Sequence, residues 1–441
     1  MQLENKKILV VGLGKSGKAS ALFLKNRGAH VTVTDCGTRD LLKASADEME
    51  ESGINLELGG HEEKSFTQAD LIVISPGVSH RMPEICAAKA CGVPVWGEIE
   101  LASRFIKEPV IAVTGTNGKT TTTTIIGEML TKSGFKVFVG GNIGNPLIDY
   151  VKSDEKADVL VVELSSFQLD TIEEYTPYVA VILNITPDHL DRYPDMNAYA
   201  ESKGRIFKNQ RGGHIAIING SDSLARMVSD NINSDRKFFD IDSDNEQKLF
   251  GIDFSKMKIA GAHNIENMRA ASLAAFAVNA SKEGVSHVVE NFSGLSHRME
   301  YVDTVDGVKF FNDSKATNPD AVARALESFE EPVVLIMGGR NKGNGFDFLE
   351  KSVSRNTRSI IAIGEAKKDI LSRLGSRCYG RSCAASDMEE AVFRAYETAN
   401  CGDVVLLSPA CASFDMYRSY ADRGEAFCQA VTCLQKVRKG A

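Results

Sequence analysis

The sequence predicts an α/β protein of three consecutive domains with mainly parallel sheets, and three observations predict it. Short β-branched runs alternate with helical patterns along the chain, which is the signature of strands joined by crossover helices. Most of those runs end in a glycine-bearing turn. Two of the turns carry phosphate-binding spacings, Gly12-Leu13-Gly14-Lys15-Ser16-Gly17 and Gly115-Thr116-Asn117-Gly118-Lys119-Thr120, so the units are Rossmann-like or P-loop in type. A chain of 441 residues has room for roughly two to four cores, and the three units share no repeat.

The first unit, residues 1–97, opens with a strand over Lys6–Val11. The glycine turn starts a helix reaching about Arg27; Gly28 stops it, and a strand over His30–Thr34 ends at Asp35. This is G-x-G-x-x-G in a βαβ unit with an acid about 20 residues on. Alone it suggests a dinucleotide dehydrogenase. The spacing secures less: a helix N-terminus offered to a diphosphate, and a carboxylate placed for a ribose or base. The strand Leu71–Ser75 runs into Ser75-Pro76-Gly77, Pro94–Gly97 closes the unit, and a helix over Glu98–Phe105 leads to a boundary at Pro109.

The second unit, residues 98–296, is organised by Val110 to Thr124. An apolar strand, a G-T-x-G-K-T turn and a helix make a short phosphate-binding loop. Its amides and helix dipole favour an anion; Lys119 can reach β/γ phosphates, and the Thr120 hydroxyl can ligate Mg²⁺. Threonines 120–124 are mediocre helix formers, so propensity does not explain them. The apolar strand Val159–Glu163 ends in an acid, the place for a second metal ligand. Ser165, Ser166 and Gln168 follow it. Val179–Ile185 ends in Thr186-Pro187-Asp188-His189-Leu190-Asp191, a further metal and phosphate candidate. Tyr199–Phe207 reads as an amphipathic helix, on which Lys203 would ordinarily be a solvated charge. Asp240–Lys248 is expected to be a surface excursion. Asn264 and Asn267 open an Ala-rich helix, where asparagine ordinarily caps.

The third unit, residues 297–441, has strands at Lys309–Phe311, Val333–Met337, Ser359–Ile363 and Val404–Leu407. The segments Asn312–Asn318, Gly338–Gly343 and Ser408–Ser413 stand at their ends.

Net charge of −8 argues against a broad nucleic-acid footprint. No apolar run approaches the ~20 residues that span a bilayer, and the start MQLENKK lacks a signal-peptide layout. Nine cysteines without a secretory signal predict reduced thiols and a cytoplasmic setting. Cys86/Cys91, Cys378/Cys383 and Cys428/Cys433 share the spacing C-x4-C. On a helix that spacing turns side chains about 140° apart, so buried small side chains are expected rather than zinc ligands.

Taken in order, these motifs resemble the Mur ligase family, in its D-glutamate-adding branch, from Gly12 to Gly424. The runs are GTNGKTT at Gly115–Thr121, ELSSFQL at Glu163–Leu169, NITPDHLDR at Asn184–Arg192 and HNIEN at His263–Asn267. They continue with His297-Arg298, NDSKATN at Asn312–Asn318 and SPACAS at Ser408–Ser413. No D-N-P-R motif of the diaminopimelate- or lysine-adding branch occurs, and folylpolyglutamate synthases lack this kind of first domain.

The resemblance implies an ATP-dependent ligase of peptidoglycan precursor synthesis, a cytoplasmic monomer without nucleic-acid or membrane partners. The alanyl carboxylate of UDP-N-acetylmuramoyl-L-alanine would attack the γ-phosphate of ATP, and the amine of D-glutamate would then displace phosphate from the acyl phosphate. Gly115, Thr116, Asn117, Gly118, Lys119, Thr120 and Thr121 would hold ATP, with Asn267, Arg298 and Asp313. Thr120 and Glu163 would hold one Mg²⁺; His189 and Lys203 would serve a second, with Lys203 as a carbamate. Thr317, Lys342, Ser413 and Tyr420 match D-glutamate contacts, although phenylalanine is common at the last position. Ser16, Asp35, Ser75, Pro76 and Gly77 match the UDP contacts; Asn142, Ser165 and Gln168 match the sugar–diphosphate end. Arg39 is left unassigned because Cys36-Gly37-Thr38 intervenes after Asp35.

Overall fold

The structure, a computed structural model, describes residues 2–239, 251–259, 261–341, 343 and 345–439. Lys342 and the Asp240–Lys248 stretch lie outside the described residues.

Three α/β sheets follow one another. The first comprises β1 (Lys7–Val11), β2 (His30–Asp35), β3 (Asn55–Leu58), β4 (Leu71–Ile74) and β5 (Val95–Gly97), all parallel, in the order β3-β2-β1-β4-β5. The second comprises β6 (Val110–Thr114), β7 (Val137–Gly141), β8 (Val159–Glu163), β9 (Val179–Ile182), β10 (Ile215–Asn219) and β11 (Asp235–Phe239), parallel in the order β11-β10-β9-β6-β8-β7. Every residue of β4, β6, β8 and β9 is buried, which is why these read as unbroken apolar runs rather than alternating ones.

The third sheet comprises β12 (Glu300–Val305), β13 (Val308–Asn312), β14 (Val333–Gly338), β15 (Thr357–Ile363), β16 (Cys383–Ala384) and β17 (Val404–Leu407), in the order β12-β13-β17-β14-β15-β16. It is mixed: β12 pairs antiparallel with β13 through a turn at Asp306-Gly307, both at positive φ. Core clusters cover both faces, one built around Leu335, Met337, Ile360 and Leu406, the other around Ile336, Ile361, Val405 and Phe427.

Register fixes what each rim presents. Val11 pairs with Thr34 and Ile74, which brings Gly12, Asp35 and Ser75 to one edge. Val113 pairs with Glu163, and Thr114 with Ile182. Asn312 and Ile336 both pair with Leu407, so the turns after β13, β14 and β17 adjoin.

By contact density the chain forms two compact units. One holds the described residues of 1–184, 200–252 and 268–288; the other holds those of 185–199, 253–267 and 289–441.

Two expectations fail. None of the six C-x4-C cysteines is buried: Cys86, Cys91 and Cys433 are exposed and Cys378, Cys383 and Cys428 are half-buried. Cys91 ends a helix and Cys378 lies in a loop, so a shared helical face does not exist for those pairs. Lys203 is not a solvated charge; it is 1% exposed.

Candidate active site

On the first rim, Asp35 accepts from the amides of Leu13 (2.7 Å) and Gly37 (2.7 Å), which locks the glycine turn against β2. Ser75 Oγ donates to Gly12 O at 3.0 Å. A Cβ at Gly17 would stand 1.9 Å from Gly12 O, so this glycine is required for the helix Lys15–Asn26 to leave the turn. The first amides of that helix have no intrahelical acceptor. Ser16 and Pro76 are half-buried, Ser75 is buried and Gly77 is exposed, all beside this opening. Arg39 is turned away, paired with Asp47 and Glu50.

On the second rim, Gly115 and Gly118 lie at φ +155° and +83°, and Gly118 starts the helix Lys119–Lys132. Asn184 frames the loop: its carbonyl accepts from Thr116 N (2.9 Å), its Oδ1 from Asn117 N (2.8 Å), and its Nδ2 donates to Asn117 O (3.1 Å). Lys119 Nζ donates to Gly115 O and Thr116 O, both at 2.8 Å. Lys203 Nζ donates to the same Gly115 O at 2.9 Å. Two ammonium groups therefore converge on one carbonyl. Thr120 is half-buried at the helix start and Thr121 is buried.

Glu163 ends β8 next to the loop strand. Its Oε1 accepts from Asn142 Nδ2 at 2.8 Å; its Oε2 is buried with no hydrogen-bond partner among the described residues. A buried carboxylate oxygen left orphaned is costly unless a cation satisfies it. With the Thr120 hydroxyl, it suits Mg²⁺, which takes one or two carboxylates plus substrate phosphates rather than an all-protein cage. The described residues contain no group of three or more His, Cys, Asp or Glu able to hold a metal. Ser165 and Gln168 face each other as a capping box, Gln168 N donating to Ser165 Oγ and Ser165 N to Gln168 Oε1.

In the other unit, His189 sits at φ +56°, a left-handed conformation uncommon outside glycine. Its amide donates to Asp188 Oδ1 (2.9 Å) and its ring packs near Tyr199. Asp188 Oδ2 also accepts from Asn318 Nδ2 at 3.3 Å. Asn267 is buried, in the helix Ala262–Ala277. Asp313 is buried and accepts from Ser408 Oγ (2.9 Å) and Met299 N (3.3 Å). Burial pushes its carboxyl up to about 7 against the pull of those bonds and of Arg298.

Sequence reasoning missed Arg423. Its guanidinium is fully buried and donates to Ser314 Oγ (3.0 Å), Ser314 O (2.7 Å), Cys411 O (3.1 Å) and Gly338 O (3.4 Å). It thereby ties together the turns after β13, β17 and β14, which carry Thr317, Ser413 and Arg340. Burial lowers its pKa to about 10, so it remains charged at neutral pH. Ser314 Oγ in turn donates to Tyr420 O (2.7 Å), and Lys315 Nζ lies 3.7 Å from the Tyr420 ring centroid, a cation–π contact. Nothing in the local pattern of SYADRGEAF separates Arg423 from an ordinary helix-surface arginine.

A glycine loop with lysine and hydroxyl on a parallel sheet, beside an orphaned buried carboxylate, defines a multidomain P-loop α/β protein that binds a nucleoside triphosphate. The comparisons narrow this. The chain matches the Mur ligase MurD-like N-terminal domain over residues 6–97, the Mur ligase middle domain over 113–275 and the Mur ligase glutamate ligase domain over 297–411. It is similar to the UDP-N-acetylmuramoylalanine–D-glutamate ligase of Desulfosudis oleivorans, at 48% identity covering 99% of this chain and 98% of that one. The protein of the same name from Desulfatibacillum aliphaticivorans is 48% identical, covering 98% and 100%. Among solved structures, a pseudomurein peptide ligase type C from Methanothermus fervidus shares the fold, with TM-score 0.60, 19% identity and coverage of 98% and 100%. The chain belongs to the Mur ligase family.

Proposed function

We propose that this chain is an ATP-dependent amide ligase that joins D-glutamate to UDP-N-acetylmuramoyl-L-alanine through an acyl phosphate. The observation that carries the ATP half is Glu163 Oε2, buried and without a hydrogen-bond partner among the described residues, on the strand beside the phosphate-binding loop. The choice of amino acid and sugar nucleotide rests on relatives that bear that activity in their names at 48% identity over almost the whole chain.

A free carboxylate is a poor acyl donor because oxide would have to leave. Phosphorylation supplies a leaving group, and the protein's task becomes alignment and charge neutralisation. The amides of Gly115–Thr121 and the Lys119 ammonium hold the ATP phosphates, Lys119 exchanging carbonyl acceptors for charged phosphate oxygens, which make stronger hydrogen bonds. Thr120 and Glu163 would hold Mg²⁺, which when bound neutralises charge on the phosphoryl oxygens. His189 and Lys203 are the candidates for a second ion. Asn267, Arg298 and Asp313 are assigned to ATP; Ser16, Asp35, Ser75, Pro76, Gly77, Asn142, Ser165 and Gln168 to the sugar nucleotide; Thr317, Lys342, Ser413 and Tyr420 to D-glutamate. Residues 1–97, 98–296 and 297–441 serve as the three domains.

Lys203 acts as a carbamate formed with CO₂. Supporting this, Lys119 and Lys203 both reach Gly115 O, and two like charges so close repel. A carbamate converts one of them into an anionic oxygen donor. Lys203→Ala should lose at least about 10²-fold in kcat, the scale of losing one preorganised electrostatic group, and recover part of it with added formate or acetate. Absence of any recovery removes the carbamate role.

The deciding assay is phosphate release from ATP. It should require both UDP-N-acetylmuramoyl-L-alanine and D-glutamate, with L-glutamate, L-lysine and diaminopimelate giving little. Release with either cosubstrate omitted, or equal rates across the amino acids, overturns the proposal.

A further inference from the structure

The glycine turn on the first rim carries a cation that the assignments above leave unused. Lys15, the first residue of the helix Lys15–Asn26, has an exposed side chain. An exposed lysine usually trails in water. This one crosses from the first sheet to the second: its Nζ donates to Gly144 O at 2.5 Å and to Asn145 Oδ1 at 3.3 Å.

The loop it meets is stiff. Gly141 N donates to Asn145 O at 2.9 Å and closes the turn, with Gly141 and Gly144 at φ +101° and +60°. Gly141 tolerates no side chain, since a Cβ would lie 2.5 Å from Glu163 O. Asn142, within that turn, binds Glu163 twice, N to O at 2.9 Å and Nδ2 to Oε1 at 2.8 Å. One turn thus receives Lys15 at one end and holds the carboxylate assigned to Mg²⁺ at the other.

An ammonium has three donors. Two of Lys15's are taken by neutral acceptors of the second sheet's loop, which leaves one. The backbone of Lys15 opens a helix whose first amides lack intrahelical acceptors, the position offered to a diphosphate. We propose that Lys15 is a substrate-binding and positioning residue: it neutralises the diphosphate of the nucleotide sugar while fixing that diphosphate's distance from Asn142 and Glu163. This rests on the ligase reading for the identity of the sugar, but the recognised chemistry, a nucleoside diphosphate, is separable from it.

The test uses the full chain with Lys15→Met and Lys15→Arg. The surface position makes both variants compatible with folding, and equal melting temperatures establish that. Binding of UDP, UMP and uridine is measured by calorimetry, without turnover. Lys15→Met should weaken UDP about tenfold or more, leave uridine within twofold, and flatten the salt dependence of UDP binding; Lys15→Arg should recover most of the loss. In turnover, KM for UDP-N-acetylmuramoyl-L-alanine should rise while KM for ATP and D-glutamate stays within twofold. Unchanged UDP affinity in Lys15→Met overturns the proposal. So does an equal loss for UDP and uridine, which signals a disturbed turn rather than a lost charge. If the wild type binds UDP but makes no D-glutamyl product, the ligase reading fails, and the UDP comparison still decides the role of Lys15.

Discussion

The glycine loops that follow β1 and β6 use the same ingredients to different ends. Both are strand–glycine–helix turns with a lysine at the first helical position. Lys119 bends back onto its own loop, to Gly115 O and Thr116 O. Lys15 reaches away, to Gly144 and Asn145 on another sheet. A lysine held by its own loop's carbonyls marks where an anion goes and gives them up when it arrives. A lysine bridging two sheets sets a distance. The glycines divide only in part: Gly12, Gly115 and Gly118 all lie at positive φ, whereas Gly17 is needed for close approach at an ordinary helical φ.

Breaking the second loop should have the largest effect. Lys119→Ala and Glu163→Gln should each lower kcat by about 10²- to 10³-fold, with UDP affinity unchanged in a calorimetric titration. Breaking the first loop should be a matter of packing. Gly17→Ala forces the turn open and should destabilise by about 1–3 kcal/mol, seen in denaturant midpoints, and should weaken UDP binding. Gly14→Ala, with nothing within 4 Å of the added Cβ, should leave stability unchanged. A stable Gly17→Ala protein with normal UDP affinity would remove the distinction between the loops.

The third sheet sharpens the contrast, because a buried charge, Arg423, joins its turns to one another, while Gly338 and Gly339, both at φ +132°, shape the turn after β14. Arg423→Lys supplies a charge without the planar fork, so several carbonyls lose donors at a net cost of about 1–3 kcal/mol. KM for D-glutamate should rise about tenfold, and that for UDP-N-acetylmuramoyl-L-alanine should not.

The smallest effect concerns the joint between the first two sheets. Glu98 is buried, accepts from Ile148 N at 2.6 Å, and burial raises its carboxyl to about 7. A raised acid binds its proton more tightly folded than unfolded. Its contribution to stability is therefore best at acid pH and declines as pH climbs from the ordinary carboxylate range to about 7. Glu98→Gln should flatten that decline between pH 5 and pH 8 in thermal melts. An unchanged slope would show that Glu98 ionises normally.

Much of this was legible in the chain. Strands β8 and β17 fall on the residues that their β-branched runs predict, Val159–Glu163 and Val404–Leu407, because a strand buried on both faces has no choice but to be apolar throughout. Strand β12 escapes a reading by pattern although Asp306-Gly307 between alternating residues is a hairpin signal; its charged and exposed positions hide it. The burial of Lys203, which only the family resemblance singles out, and of Arg423 is illegible for another reason. A single charged residue on a helix carries no mark of being buried, since its partners, Gly115 O and Ser314, lie far off in sequence.

The proposed coupling of ATP cleavage to amide formation through an acyl phosphate can be followed atom by atom. UDP-N-acetylmuramoyl-L-alanine labelled with ¹⁸O in its alanyl carboxylate should pass one labelled oxygen into each phosphate released, with the other retained in the new amide carbonyl. Phosphate free of label would contradict it.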